Sequence, residues 1–410
     1  MSLPRSRSDA LNDPFLSRLP LLHLSRGAVL ALHLSFMNIT LVSATYPPII
    51  GGIESHVAGL ADALVALNHN VHVVCLTPGP DLAAPHPDPI SRFSPNPEVI
   101  RARQYRCGKY IAPAQLSLPT SDLIHFHGFS RPLFVATCRT AYQTHTALIV
   151  TPHGSLHRLI RNDNQVVYRI KQTFDVVAMP LLLHFCHAVV ALTPEEALCI
   201  ADRHPGLAER TVVIGNALPT LPPSATSTAQ GVGGRLLALG RVSREKRLTD
   251  LIAALRRDPT LPDCDIVGPH GNATAEVQAA AGGLLPGRVT LLGPVHGDDR
   301  YNLIRRAVAL VLPSESEMQS LSALEAIALG TPVVASRGAS AGLGSGPHLV
   351  VYNTGDIEDL TRAIHGIKSL KATTSSPPAM KPWCTDTLEM AGKLVDVYRN
   401  CIAGLIGQSR

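Results

Sequence analysis

Paired cysteines are missing from this sequence. Its eight cysteines, at positions 75, 107, 138, 186, 199, 264, 384 and 401, include no CxxC and keep no regular spacing. That argues against a zinc ribbon and against a disulfide framework, and it fits a reducing, cytoplasmic setting. A long unbroken apolar run is missing too. The nearest approach, LPLLHLSRGAVLALHLSF at 19–36, is interrupted by Pro20, His23, Arg26 and His33, so no spanning helix is expected. No small-residue cleavage site separates it from MNITLVS, which removes the signal-peptide reading. Residues 1–36 therefore read as an extension, with the fold expected to begin at Met37, itself a candidate initiator. Charge is scarce as well: 16% of residues are charged and the net is +5. This is too mild for a nucleic-acid footprint, yet it leaves room for an anionic substrate or membrane surface.

What the 410 residues do contain is apolar sequence, 45% hydrophobic and enough for two cores. Short β-rich runs alternate with helical patterns: NITLVS at 38–43, VHVVCL at 71–76, DLIHF at 122–126, ALIVT at 147–151 and AVVAL at 188–192. Alternation of this kind predicts βαβ units and a parallel sheet. A Pro, Ser, Thr and Gly stretch at 219–234 reads as a linker between domains at 37–218 and 235–382. The second domain repeats the pattern with strands predicted at 235–240, 264–268, 289–293, 307–313, 332–336 and 348–352. A low-order stretch at 373–382 precedes a last helix within 383–410, expected to pack back on the first domain. Ligands of doubly wound sheets bind at the carboxyl ends of the strands, so the cleft between two such domains is the expected site.

Three stretches there carry chemistry. In YPPIIGGIESHVAGL at 46–60, Gly51 and Gly52 lead from a strand into a helix whose N-terminus favours a phosphate; a plain turn is the alternative. The stretch is not GxGxxG, which leaves a nicotinamide dinucleotide poorly supported. In LLALGRVSREKRLTDLIAAL at 236–255, Arg241 and Lys246 share a strand-end loop and supply the two cationic groups a diphosphate needs. Arg244 and Arg247 read as a solvated basic loop. In PSESEMQSLSALEAIALGTPVVAS at 313–336, a helix beginning at Ser320 or Leu321 puts Glu317 before it and Glu325 in its second turn, on an apolar helix. A carboxylate accepts from vicinal hydroxyls, so Glu325 suits a ribose and Glu317 a second sugar; a structural ion pair is the alternative for Glu325. The histidines of HFH, His125 and His127, with His153 of TPHG, raise the question of zinc. The HFH pair is expected to face opposite sides of its strand, which argues against a metal site.

Together these stretches resemble the retaining GT-B glycosyltransferases of family 4 across essentially the whole of 37–400. The motifs that carry the resemblance are YPPIIGGIESHVAGLADAL, DLIHFHG, TPHG, GRVSREKRLTDLI and the E-x7-E segment ESEMQSLSALEAIALGTPVVAS. The resemblance implies an α/β GT-B fold, two Rossmann-like doubly wound domains facing across a cleft, with the acceptor on the first and the nucleotide sugar on the second. It implies transfer from a UDP- or GDP-sugar to a hydroxyl acceptor, with no obligatory metal. His153, Glu317, Arg241 and Lys246 would act in catalysis. Gly51, Gly52, Met318, Gln319, Ser320, Leu321 and Glu325 would join Arg241, Lys246 and Glu317 in holding the donor. Met318, Gln319 and Ser320 stand where the family often has Gly-Phe-Gly. His127 is the second candidate beside the sugar, and His125 reads as structural. Basic stretches at 99–112 (Arg101, Arg103, Arg106, Lys109) and 155–174 (Arg158, Arg161, Arg169, Lys171) suit an anionic or lipid-linked acceptor, or a peripheral membrane contact, if they are more than solvated faces. A sugar-nucleotide epimerase of the same fold and a non-catalytic sugar-nucleotide-binding protein are the alternatives.

Overall fold

The computed structural model describes residues 36–76 apart from 48 and 50, 98–113 apart from 103, 108 and 109, 118–154 apart from 129, 165–217, 234–370 and 386–408. The expectations for residues 1–35, nearly all of 219–234, and 373–382 fall outside these, as do Arg103, Lys109, Arg158 and Arg161.

The amino-terminal lobe contains β1 (Asn38–Ser43), α1 (Gly52–Ala66), β2 (Asn70–Leu76), β3 (Glu98–Ala102), β4 (Gln104–Cys107), β5 (Tyr110–Pro113), β6 (Leu123–His127) and α2 (Arg131–Gln143). It continues with β7 (Ala147–Thr151), α3 (Gln165–His184), β8 (Ala188–Ala191), α4 (Pro194–Arg203) and β9 (Thr211–Val213). Seven of the strands form one sheet in the order β3-β2-β1-β6-β7-β8-β9, every pair parallel. β6, β7 and β8 are buried from end to end, as a parallel sheet covered on both faces requires. The basic stretch at 99–112 is itself β-structure: β3 edges the sheet, and β4 and β5 form an antiparallel hairpin.

The second lobe runs β10 (Leu236–Leu239), α5 (Leu248–Arg257), β11 (Cys264–Val267), α6 (Thr274–Gly282), β12 (Val289–Gly293) and α7 (Gly297–Arg306). Then follow β13 (Leu310–Leu312), α8 (Leu321–Ala328), β14 (Val333–Ser336), β15 (Leu349–Tyr352) and α9 (Ile357–Leu370). Its parallel sheet has the order β12-β11-β10-β13-β14-β15. One core, with Leu251, Leu255, Ile266 and Ile364, covers one face; a second, with Ile304, Leu324 and Ile327, covers the other. In both sheets the winding reverses at the first strand, between β1 and β6 and between β10 and β13. A crevice opens at such a reversal, beyond the carboxyl ends of the strands.

The last helix, α10 (Thr387–Gln408), belongs spatially to the first lobe. Met390, Ala391, Leu394, Val395, Tyr398 and Ile402 give it a buried stripe at helical spacing. The hydroxyl of Tyr398 lies 2.7 Å from His125 Nδ1 on β6, and His125 Nε2 lies 2.8 Å from Thr151 Oγ1 on β7. His125 is thus a satisfied core histidine. Tyr398→Phe leaves one buried ring nitrogen without a partner and is expected to cost about 1–3 kcal/mol; an unchanged denaturation midpoint would show that the bond contributes nothing.

Candidate functional site

At the end of β10 the backbone itself is the packing surface. Gly240 (φ +150°) and Gly268 (φ +148°) close on each other, and a Cβ on Gly268 would come within 2.0 Å of the Gly240 carbonyl oxygen. Arg241 emerges from this corner exposed. A single 3-10 turn, Arg244–Lys246, carries the chain back so that Lys246 lies over Gly240, its Nζ 3.8 Å from where a Cβ would sit. Lys246 Nζ donates to Glu317 Oε1. Arg244 instead pairs with Glu276 at 2.7 Å and Arg247 with Asp250 at 2.7 Å, so neither shares in the Lys246–Glu317 pairing.

Glu317 follows β13 and is fixed by its own amide, which donates to the Gly338 carbonyl at 2.8 Å. Ser320 caps α8, its hydroxyl accepting from Ala323 N at 3.4 Å, so the helix starts at Leu321. Glu325 is buried, and Arg300 of α7 answers its charge by donating from Nε (3.1 Å) and Nη2 to Oε2. Burial pushes the Glu325 carboxyl above the usual range, against the pull of Arg300. Oε1 takes no hydrogen bond among the described residues. An ion pair and a ribose contact are therefore compatible, because each needs a different oxygen.

Met318 and Gln319 cross to the first lobe. Met318 packs on Gly154, where a Cβ would meet its Cγ at 2.5 Å. Gln319 Oε1 accepts from Asn216 N at 2.5 Å, while Asn216 Nδ2 donates to the Gln319 carbonyl at 3.1 Å. The residues that depart from the family pattern thus strap the lobes together.

In the first lobe, Gly51 is small because Glu54 needs the room: a Cβ there would fall 2.2 Å from Glu54 Oε2, and Thr45 holds the other oxygen at 2.5 Å. Gly52 faces open space. His153 has φ +50°, a conformation uncommon outside glycine and a pointer to a constrained site. Its turn hangs on Glu196, which accepts from Gly154 N at 2.6 Å and Leu192 N at 2.7 Å. The expectation for HFH is corrected here. Residues two apart on a strand share a face, and the rings of His125 and His127 lie 4.0 Å apart. His56, one turn beyond Gly52 on α1, joins them: its ring centroid is 4.9 Å from His153 and 5.4 Å from His127. Burial lowers His56 to about 4 and His125 to about 3, and holds His127 and His153 well below the ordinary imidazole range. All four are neutral at pH 7.

The structure therefore gathers Arg241, Lys246 and Glu317 at one strand end, places Glu325 in the adjoining helix, and brings Met318 to the turn that carries His153. Gly51 and Gly52 lie at the β1 end of the first sheet. Sequence reasoning did not single out Arg300, Glu54, Glu196, His56 or Asn216. Only Glu196 had a local signal, the Thr193-x-x-Glu196 capping box, and that signal gives a helix start rather than a brace for Gly154.

Two family models divide most of the chain between them: Glycosyltransferase Family 4 over residues 50–220 and Glycosyl transferases group 1 over residues 233–368. The glycogen synthase of Mycobacterium tuberculosis is 28% identical over 328 residues, 73% of this chain and 78% of that one. The D-inositol 3-phosphate glycosyltransferase of Salinispora arenicola is 37% identical over 174 residues, 36% of this chain and 39% of its own. Among solved structures, Anabaena HepE in complex with UDP and glucose superposes with a TM-score of 0.62 at 19% identity, covering 91% of this chain and 100% of that one. Sucrose-phosphate synthase from Thermosynechococcus elongatus does so at 0.61 and 18%, covering 90% and 98%. These likenesses establish the two-lobed GT-B fold.

The buried imidazoles carry a pH consequence. The unfolded chain protonates its histidines near 6.5 and the folded cluster resists until well below, so the unfolded state binds more protons between those values. Stability is expected to fall as the pH drops from about 6.5 toward 4, each buried ring adding a slope of about 1.4 kcal/mol per pH unit. Denaturation across that window checks it; a slope no different in His125→Gln would contradict the assignment.

Proposed function

Because this chain belongs to the family 4 glycosyltransferases of the GT-B fold, we propose that it moves a hexose-type sugar from a UDP- or GDP-sugar to a hydroxyl acceptor with retention at the anomeric carbon. The observation that carries this reading is the pairing of Lys246 with Glu317 over the Gly240 corner, beside an exposed Arg241. An ammonium held by a carboxylate is ready to exchange it for a diphosphate. On donor binding Lys246 turns to the phosphates with Arg241, and Glu317 becomes free to accept from hydroxyls of the transferred sugar. Glu325 Oε1 takes the ribose while Arg300 keeps Oε2. His153, neutral, exchanges a hydrogen bond with the sugar. The charge that develops on the departing diphosphate is met by Arg241, Lys246 and the N-terminus of α8. Residues 37–218 form the acceptor side and 235–382 the donor side of this scheme, in a reducing cytoplasmic setting consistent with free cysteines at 75, 138, 186, 199, 264 and 401.

The acceptor side is read as meeting an anionic membrane surface. Among the described residues no helix is long and apolar enough to cross a membrane. On α3, however, Met179 and Leu183 are buried, while Val166, Ile170, Val177 and Leu181 are exposed on the opposite face. Arg169 is exposed beside them. An apolar stripe flanked by a cation suits the headgroup region of anionic lipid.

Three measurements test these readings. Melting temperature should rise with one family of nucleoside diphosphates and their sugars, since a ligand of the folded state stabilises it; no rise with any in folded protein would defeat the donor site. Arg241→Ala and Lys246→Ala should each lower turnover about 10²–10³-fold with little change in the denaturation midpoint, and donor consumed without acceptor would indicate an epimerase. Separately, Val177→Glu with Leu181→Glu should abolish sedimentation with phosphatidylserine vesicles. Sedimentation that ignores both this change and lipid charge removes the membrane reading.

A further inference from the structure

Four imidazoles crowd the carboxyl end of the first sheet, and their partners divide them. His125 has both nitrogens engaged, by Tyr398 and Thr151. The other three converge on one another: His127 Nδ1 lies 3.3 Å from His153 Nε2, and ligand nitrogens of His56, His127 and His153 all lie within 4.8 Å of one another. A tetrahedral zinc ion with bonds of about 2.0–2.1 Å holds its nitrogens about 3.3 Å apart. His127 and His153 already have that spacing, and an ion would draw His56 in.

Asn216 lies beside His56, its side chain within hydrogen-bonding reach of that ring, so it can orient the imidazole toward the other two. His127 Nδ1, the nitrogen that faces His153, is the one available to an ion, and the other nitrogen of that ring takes no hydrogen bond among the described residues. The rings are neutral near pH 7, the form that ligates. Gly52 precedes His56 by one turn on the same face of α1, and a Cβ there would meet nothing within 4 Å, which leaves room on that side of the cluster.

We propose that His56, His127 and His153 form a site for a divalent transition-metal ion of the zinc class, with three imidazole ligands and one open position. Imidazole sets of this kind favour Zn2+, Cu2+ or Ni2+ over Mg2+, so the ion is distinct from any that would escort a diphosphate. If His153 serves the donor sugar as read above, a filled site competes with the donor and zinc is a reversible inhibitor. That consequence rests on the proposed function; the binding of metal does not.

The test uses the full-length chain stripped of metal and without donor. Titration with Co2+ should give the visible absorption of a tetrahedral three-nitrogen site, saturating at one equivalent and displaced by Zn2+. His56→Gln and His127→Gln should each lose that equivalent, while His365→Gln, exposed in the other lobe, should keep it. Wild-type protein that binds no stoichiometric Co2+, or a His56→Gln protein that binds it unchanged, overturns the proposal. Should the variants fail to fold, X-ray absorption of the zinc-loaded wild type decides: three imidazole nitrogens support the site, and one or none refutes it.

Discussion

A parallel sheet wound in both directions from its first strand leaves a crevice beyond the carboxyl ends of two adjacent strands, and this constraint gathers most of the candidate groups there. Glu54 follows β1, His127 ends β6, His153 follows β7 and Glu196 follows β8. Arg241 and Lys246 follow β10, and Glu317 follows β13. None of these positions is chosen by the chemistry alone. The strands are buried on both faces and accept only apolar residues, so charged and polar groups collect where the strands stop. Side chains there are held by short loops anchored in rigid elements, as the single turn that folds Lys246 back over Gly240 shows.

Charge in a low-dielectric setting governs the details. Glu325 sits in an otherwise apolar helix and is tolerated because Arg300 reaches it from the neighbouring one; a lone carboxylate there would cost several kcal/mol or take up a proton. Glu196 is handled differently, its charge spread over two backbone amides. The histidines stay neutral because burial strips water from a charged ring and a proton on one would repel a proton on its neighbours.

Much of this was legible in the order of residues. The two series of β-rich runs marked most of the strands because periodicity is local, though β3, β4, β5 and β9 had no such mark, and the placement of Arg241, Lys246 and Glu317 was legible because each stands after such a run. The start of α8 followed from Ser320. Arg300 was not legible: it lies 25 residues from Glu325 on a different helix, and no local pattern marks it. His56 looked like one more residue of an amphipathic helix. In HFH the alternation of the strand puts His125 and His127, two apart, on one face, contrary to the expectation of opposite faces. Met318 and Gln319 registered as a departure from the family pattern, but a strap between lobes shows only when Gly154 and Asn216 are brought within reach.

The bond between His125 and Tyr398 joins residues 273 positions apart, across a chain that builds the whole second lobe in between. During synthesis β6 leaves the ribosome long before α10 exists, so the imidazole at the centre of the first sheet waits for its partner while the second lobe is made. The first lobe is therefore begun first and finished last. A nascent chain stalled anywhere before α10 would present an open flank along β6 and β7, and that flank is where a chaperone would be needed.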